Sequence, residues 1–265
     1  MSDLLTVTDL SVTLGSAPVL QDVSFSVPES APLVGVLGAN GSGKTTLLRC
    51  IAELIPHKGH CTLRGTPLET LSAKGLARRV SYIPQHSGIG LSLSAREVVL
   101  MGFNPRLSVL QAPTPAMHTA AEQALAQVGL AGFADRDYLT LSGGEQQLCI
   151  LARTLVQDTE LLLLDEPDSA LDLHNRVKML QTVLALVHSG GKAALVCLHD
   201  PALALEFCDT LLLLRGGHLI AQLHPKTDPL PETEQQLAKV FGPVQLIRLT
   251  DAAGQPRLVL LPKTN

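Results

Sequence analysis

The chain has no CxxC pair, no internal repeat and no low-complexity tract. Its five cysteines, Cys50, Cys61, Cys149, Cys197 and Cys208, are scattered. An odd, dispersed set reads as reduced core thiols rather than a disulfide framework or a zinc site. Nine histidines show no metal-ligand spacing. Long apolar runs are missing as well: those in ELLLLDEP and DTLLLLRGG have the length of buried strands and are too short to span a bilayer. The opening MSDLLTVTDLSV carries two aspartates and no basic stretch, so it does not read as a signal peptide. Nor is one charge in excess. The net charge is −4 with acids and bases interspersed, which gives no support for a nucleic-acid surface. These absences lead us to expect a soluble, cytosolic chain, with a membrane-bound partner still permitted.

What is present is a chain of 265 residues with ample apolar content, enough for one large domain or two small ones. Residues 4–36 read as short strands with turns, ending in the apolar PLVGVLG, and 44–54 as a helix. After RRVSYIPQH the pattern turns mainly helical from about 88 to 157, as in MHTAAEQALAQVGLAGF. Strand ELLLLDE, a helix over 173–188, strand AALVCLH, a helix over 201–208 and strand DTLLLLRGG follow. Apolar strands alternating with helices imply a parallel sheet covered on both faces. From about 221 the chain reads as a small appendage with turn-rich and strand-like pieces, VQLIRLT and PRLVLLP.

The segment GANGSGKT, residues 38–45, fits G-x-x-x-x-G-K-[ST] in full, between an apolar strand and a helix. Glycines let backbone N–H groups close around phosphates, and the helix start adds about half a positive charge. Lys44 would neutralise β- and γ-phosphates and Thr45 would hold Mg²⁺. LLLLDEPDSALD, residues 161–172, supplies the carboxylates such a site needs. Asp165 would support Mg²⁺, and Glu166 would act as general base on the attacking water. Gln85 ends SYIPQ, where its amide could contact Mg²⁺ and the water. His199 in LVCLHD could hydrogen-bond the γ-phosphate and orient the water. A second glycine cradle, LSGGE, residues 141–145, stands a hundred residues on from the first.

These pieces, in this order, resemble the nucleotide-binding subunit of ABC transporters over nearly the whole chain. The resemblance rests on the P-loop at 38–45, Gln85 as Q-loop, LSGGE as signature, Asp165 and Glu166 as Walker B with its glutamate, SALD at 169–172 as D-loop and His199 as switch histidine. It implies an α/β P-loop NTPase core: a parallel-sheet RecA-like lobe plus an antiparallel β subdomain, with an inserted α-helical subdomain. The implied domain covers 1–220, its core lobe 1–86 and 158–220 and its helical subdomain 87–157, followed by a short extension over 221–265. It also implies ATP and Mg²⁺, with Gly38, Ala39, Asn40, Gly41, Ser42, Gly43, Lys44, Thr45 and Thr46 around the phosphates. Thr45, Gln85 and Asp165 would hold the metal. In the family two subunits pack head to tail, so Ser142, Gly143, Gly144 and Glu145, with Asp172, would serve the ATP of the second copy. Closure on ATP then drives a partner's conformational change.

Three positions depart from the family pattern. Leu14 stands where an aromatic residue usually stacks on adenine, and base stacking is worth about 1–3 kcal/mol, so weaker ATP affinity is expected. Asp168 follows DEP where Ser or Thr is usual and adds a negative charge near Glu166. Leu148 replaces a common basic residue. None removes a catalytic group.

SLSAREVVLMGFNPR, residues 92–106, and the ending VFGPVQLIRLTDAAGQPRLVLLP resemble importers of ferric siderophores, haem and cobalamin. The implied partners are a second copy, integral membrane permease subunits and, indirectly, an extracytoplasmic substrate-binding protein, with no nucleic acid. The implied place is the cytoplasmic face of the inner membrane, as a peripheral protein. Zinc, manganese or molybdate uptake is a close alternative. A non-transport ABC ATPase acting on nucleic acid or ribosomes stands further off, because those usually carry tandem domains, coiled coils or basic arms. Apolar residues at Ile89, Leu91, Leu93, Val98, Val99 and Met101 are equally a permease groove or helical-lobe core.

Overall fold

The computed structural model describes residues 3–30, 32–85, 87–108, 110–189, 191–250, 254 and 256–263. The first two residues of the chain and the 251–253 stretch within its ending lie outside the described residues. In chain order the elements are β1 (Asp3–Leu14), β2 (Ala17–Pro28), β3 (Leu33–Gly38), α1 (Lys44–Ile51), β4 (Lys58–Leu63), β5 (Thr66–Pro67) and α2 (Ala73–Ala77). Then come β6 (Val80–Ile83), α3 (Ala95–Leu100), α4 (Pro115–Gln127), α5 (Gly143–Gln157), β7 (Leu161–Asp165) and α6 (Leu173–His188). The last group is β8 (Ala193–Cys197), α7 (Pro201–Phe207), β9 (Thr210–Arg215), β10 (His218–Leu223), α8 (Leu230–Phe241), β11 (Val244–Thr250) and β12 (Pro256–Pro262). They divide into two compact units, residues 1–70 with 193–265, and residues 71–192.

The first unit holds two sheets. One is antiparallel, in the order β2-β1-β4-β5. Its two long strands replace the short strands expected over 4–36. β1 and β2 each run 12 residues because the chain bulges where it was expected to turn. Asp9 and Asp22 take left-handed φ of 50° and 49° at these bulges. Ser24 Oγ accepts from Asp9 N at 2.8 Å, and Ser11 Oγ accepts from Asp22 N at 2.9 Å, so the freed donors stay satisfied. The second sheet runs β10-β9-β3-β8. β3 is parallel to both β8 and β9. β3 and β8 are buried throughout, which is why their sequences read as unbroken apolar runs.

The ending belongs to this unit. β10 pairs antiparallel with β9 and straddles position 220, where the sequence suggested a boundary. β11 and β12, the two strand-like pieces of the ending, pair antiparallel. Between β10 and β11, where the sequence reads as turn-rich, stands a helix, α8, which packs on β9 and β11. Its buried stripe is narrow, with Leu237 fully buried and Thr233 nearly so, but the segment is clearly amphipathic. α1 also stops three residues sooner than expected. Ala52 caps it, and Glu53 takes φ 54° in the left-handed turn beyond.

In the second unit β6 and β7 are parallel, with Ile83 beside Leu164 at their carboxyl ends. α3, α4 and α5 pack on one another, and α5 also packs on β6. Leu148, Cys149, Ile150, Leu151 and Ala152 of α5 are buried, so Leu148 serves the core here. This unit is wider than the helical span expected at 87–157, since it includes β6, β7 and α6.

Candidate functional site

Two strand ends of the first unit frame the phosphate loop. β3 finishes at Gly38, and Gly43 turns the chain into α1 with a left-handed φ of 103°. Both glycines are required. A Cβ on Gly38 would lie 2.3 Å from Ser42 Oγ and 2.6 Å from Leu214 O, and one on Gly43 would lie 2.6 Å from Leu20 Cδ2. Ala39, Asn40 and Gly41 are exposed at the tip, whereas Ser42 and Lys44 are buried and Thr45 and Thr46 half-buried. Lys44 is 5% exposed, and its ammonium donates to Gly38 O at 3.0 Å and Ala39 O at 3.4 Å. A buried cation inside a ring of glycine backbone is a cradle for an anion. The Ser42 hydroxyl, buried with no hydrogen-bond partner among the described residues, adds an unspent polar group to it.

His199 lies two residues beyond β8, exposed. β8 is the parallel neighbour of β3, and Leu198 N donates to Val36 O at 3.2 Å. His199 and the loop thus leave the carboxyl ends of adjacent parallel strands, where ligands of such sheets bind. The next residue, Asp200, caps α7 through Ala202 N and Leu203 N. Leu14, at the end of β1, is 51% exposed.

The second unit assembles the carboxylates. Asp165 ends β7, 2% exposed, and Tyr82 on β6 donates its hydroxyl to Asp165 Oδ2 at 3.1 Å. Glu166 follows with φ 50°, a left-handed conformation that costs a non-glycine residue about 1–2 kcal/mol. Strain of this kind at a strand end re-aims a side chain. Gln85 Nε2 donates to Glu166 Oε2 at 2.8 Å. The amide expected at metal and water therefore holds the candidate base, which leaves its Oε1 as the oxygen donor. Asp168 is buried at 2% exposure rather than solvated. Within the second unit, Asp165 and Gln85 offer carboxylate and amide oxygens, donors of the kind that magnesium takes. Among the described residues no cluster of three His, Cys, Asp or Glu groups forms another metal site.

The signature opens α5. Ser142 is its N-cap, and Glu145 completes a capping box: Ser142 N and Oγ each donate to Glu145 Oε2 at 2.7 Å, and Glu145 N donates to Ser142 Oγ at 3.4 Å. These bonds hold the Glu145 carboxyl below the usual carboxylate range. Asp172 likewise caps α6, accepting from Asn175 N at 2.8 Å and from Asn175 Nδ2 at 3.2 Å. Two side chains expected at nucleotide are thus engaged at helix starts. The backbone N–H groups of Gly143 and Gly144 remain as the anion-facing part of the cradle. In the stretch after Gln85, Val98 and Val99 are fully buried core, while Leu91 is 70% exposed and Ile89, Leu93 and Met101 are intermediate. Sequence reasoning missed Tyr82, whose place one position before Ile83 on β6 follows from register, and Tyr138, which no local pattern marks.

Residues 20–169 match the family described as ABC transporter. The chain belongs to that family. It is an ATP-binding subunit of the ABC transporter kind, and an ATPase. The hemin import ATP-binding protein HmuV of Bordetella pertussis is 42% identical over 243 residues, covering 88% of this chain and 90% of that one. The cobalamin import ATP-binding protein BtuD of Halobacterium salinarum is 36% identical over 230 residues, 86% of this chain and 57% of that longer one. Among solved structures, an inward-facing metal-chelate type ABC transporter superposes with a TM-score of 0.82 at 24% identity, covering 98% of both chains. The cbiO1 protein of Clostridium perfringens gives 0.74 at 21% identity, over 90% of this chain and 94% of its own. These neighbours establish the ABC ATPase fold.

Proposed function

We propose that this ABC ATPase powers an importer of an iron complex, such as haem or a ferric siderophore, or of cobalamin. Two copies close head to tail on ATP at the cytoplasmic face of the inner membrane, beneath permease subunits supplied by an extracytoplasmic binding protein. The observation that carries the cargo class is the likeness to hemin-import ATP-binding proteins along nearly all of both chains. Among the described residues no helix is long and apolar enough to cross a membrane.

The residues divide the work. Backbone groups of residues 38–46 and the Lys44 ammonium bind the phosphates. Thr45, Asp165 and Gln85 hold magnesium, which offsets phosphate charge when bound. Glu166, aimed by its own backbone and by Gln85, takes a proton from the attacking water. His199 contacts the γ-phosphate and orients that water. Ser142, Gly143 and Gly144 complete the site of the other copy's ATP, so hydrolysis follows closure and releases it.

The test joins chemistry to cargo. Glu166→Gln is expected to lower steady-state phosphate release by at least a hundredfold while ATP binding persists and the mutant accumulates as a dimer. A variant with near wild-type turnover removes Glu166 as the base. Purification from native membranes in mild detergent should bring down a multi-span permease. The reconstituted complex should take up haem, ferric siderophore or cobalamin in preference to zinc, manganese or molybdate.

A further inference from the structure

In the second unit the stretch after Gln85 is fastened to the stretch just ahead of the signature. Tyr138 is 1% exposed, and its hydroxyl donates to Ser87 Oγ at 2.8 Å. Tyr138 N donates to Leu93 O at 2.8 Å, Ser94 and Asp137 form a β-bridge, and Ser92 Oγ donates to the Asp137 carboxylate. Gln146, in the first turn of α5, donates from Nε2 to Tyr138 O at 3.1 Å and to Leu141 O at 3.3 Å. Two residues before Ser87, Gln85 holds Glu166. Hydrogen bonds thus tie the start of the signature helix to Tyr138 and Tyr138 to Ser87, while Gln85, two residues earlier in the chain, holds the carboxylate of Glu166.

Beside these bonds lies a cleft of about 400 Å³, lined in part by Gln85, Ser87, Tyr138, Gly143 and Gln147. Gln147 is 8% exposed, and its Nε2 has no hydrogen-bond partner among the described residues. Gly88 and Ile89 also line this cleft, and the Tyr138 hydroxyl gives the 87–89 stretch a directional contact beside it. Burial pushes the Tyr138 phenol above its ordinary range, so it stays a proton donor across physiological pH.

We propose that Tyr138 is a positioning residue for hydrolysis: through Ser87 it sets where Gln85 holds Glu166, so the signature helix and the catalytic carboxylate move together. The inference rests on the reading of Glu166 as general base. It also gives the signature a task inside its own chain, besides the ATP of the second copy. A misplacement of about 1 Å at a reacting group can cost about a hundredfold in rate, and loss of one of these bonds should cost part of that.

The experiment uses the full chain and four variants: Tyr138→Phe, Ser87→Ala, their combination and Ser87→Thr. Phenylalanine keeps the volume of Tyr138 and removes the hydroxyl alone. Each of the first two is expected to lower kcat for phosphate release by about tenfold, with KM for ATP within about twofold and Tm unchanged. The combination should be no slower than either single variant, because both remove the same bond. Ser87→Thr, which keeps the hydroxyl, should restore turnover. Wild-type turnover in Tyr138→Phe, additive losses in the double variant, or losses that track a fall in Tm would each overturn the proposal. Glu166→Gln measured alongside separates the two readings. If it still turns over, the base assignment falls; if it is inactive while Tyr138→Phe is wild-type, only the positioning role falls.

Discussion

The chain builds two glycine cradles, and it builds them by opposite means. At Gly38–Thr45 the backbone itself is bent. Gly41 and Gly43 take left-handed φ of 77° and 103°, and the loop closes on a buried lysine. At Ser142–Glu145 the backbone is an ordinary helix start, and the polar side chains are consumed in a capping box. Neither glycine there has positive φ, and a Cβ on Gly143 would meet Ala170 Cβ at an ordinary 3.5 Å. The first cradle is finished within its own unit. The second presents bare N–H groups and a helix dipole outward, the form expected of a surface that meets a phosphate held elsewhere.

Removing the cation from the first cradle should have the largest effect. Lys44→Ala takes away the buried ammonium proposed to bind the phosphates, and nucleotide affinity should drop at least a hundredfold with folding intact. Fluorescent ATP titration reads this directly. Binding within threefold of wild type would show that the backbone ring alone is the cradle.

Adding a methyl group to each cradle sharpens the contrast. Gly43→Ala forces a left-handed alanine against Leu20 Cδ2 at 2.6 Å and Val19 O at 3.1 Å. It should cost about 1–3 kcal/mol in urea unfolding. Gly143→Ala has space and helical geometry, so it should keep or gain stability, by up to about 1 kcal/mol. Yet its methyl would stand beside Ala170 in the exposed first turn that carries the cradle, and turnover should fall at least tenfold. Equal destabilisation by the two would mean that the cradles are not built differently.

This division was half legible in the sequence. The P-loop and the Asp165–Glu166 pair are local patterns, and local spacing carries them into the structure. SGGE was legible twice over, as an anion cradle and as S-x-x-E, a capping box. The family resemblance drew attention to the first meaning, while the structure commits Glu145 to the second. Gln85 was visible as a residue but not its hold on Glu166, because the left-handed turn that aims Glu166 leaves no compositional mark. The Tyr138–Ser87 bond spans 51 positions and answers to no periodicity. The helix α8 is different: its segment is clearly amphipathic, but Pro225, Pro229 and Pro231 at and before its start give that stretch a turn-like composition, and its place depends on packing against β9 and β11.

The smallest effect concerns what holds the second cradle open. Ser142 holds the Glu145 carboxyl below its ordinary pKa, so the ionised form is favoured by folding. That contribution is complete above the unfolded value and disappears as pH falls through the folded one. Because this carboxylate is exposed, solvent screening keeps its worth to a few tenths of a kcal/mol. Glu145→Gln preserves the shape of the box and removes the titration. In urea unfolding, the wild-type chain should exceed the variant by this margin at pH 7, and the margin should vanish as pH falls from the ordinary glutamate range through the lowered folded value. A margin that persists at low pH would mean the amide packs worse than the carboxylate, and that charge has no part in setting the helix start. A margin that vanishes would show the charge tightening a cradle which, unlike the P-loop, has no buried lysine to shape it.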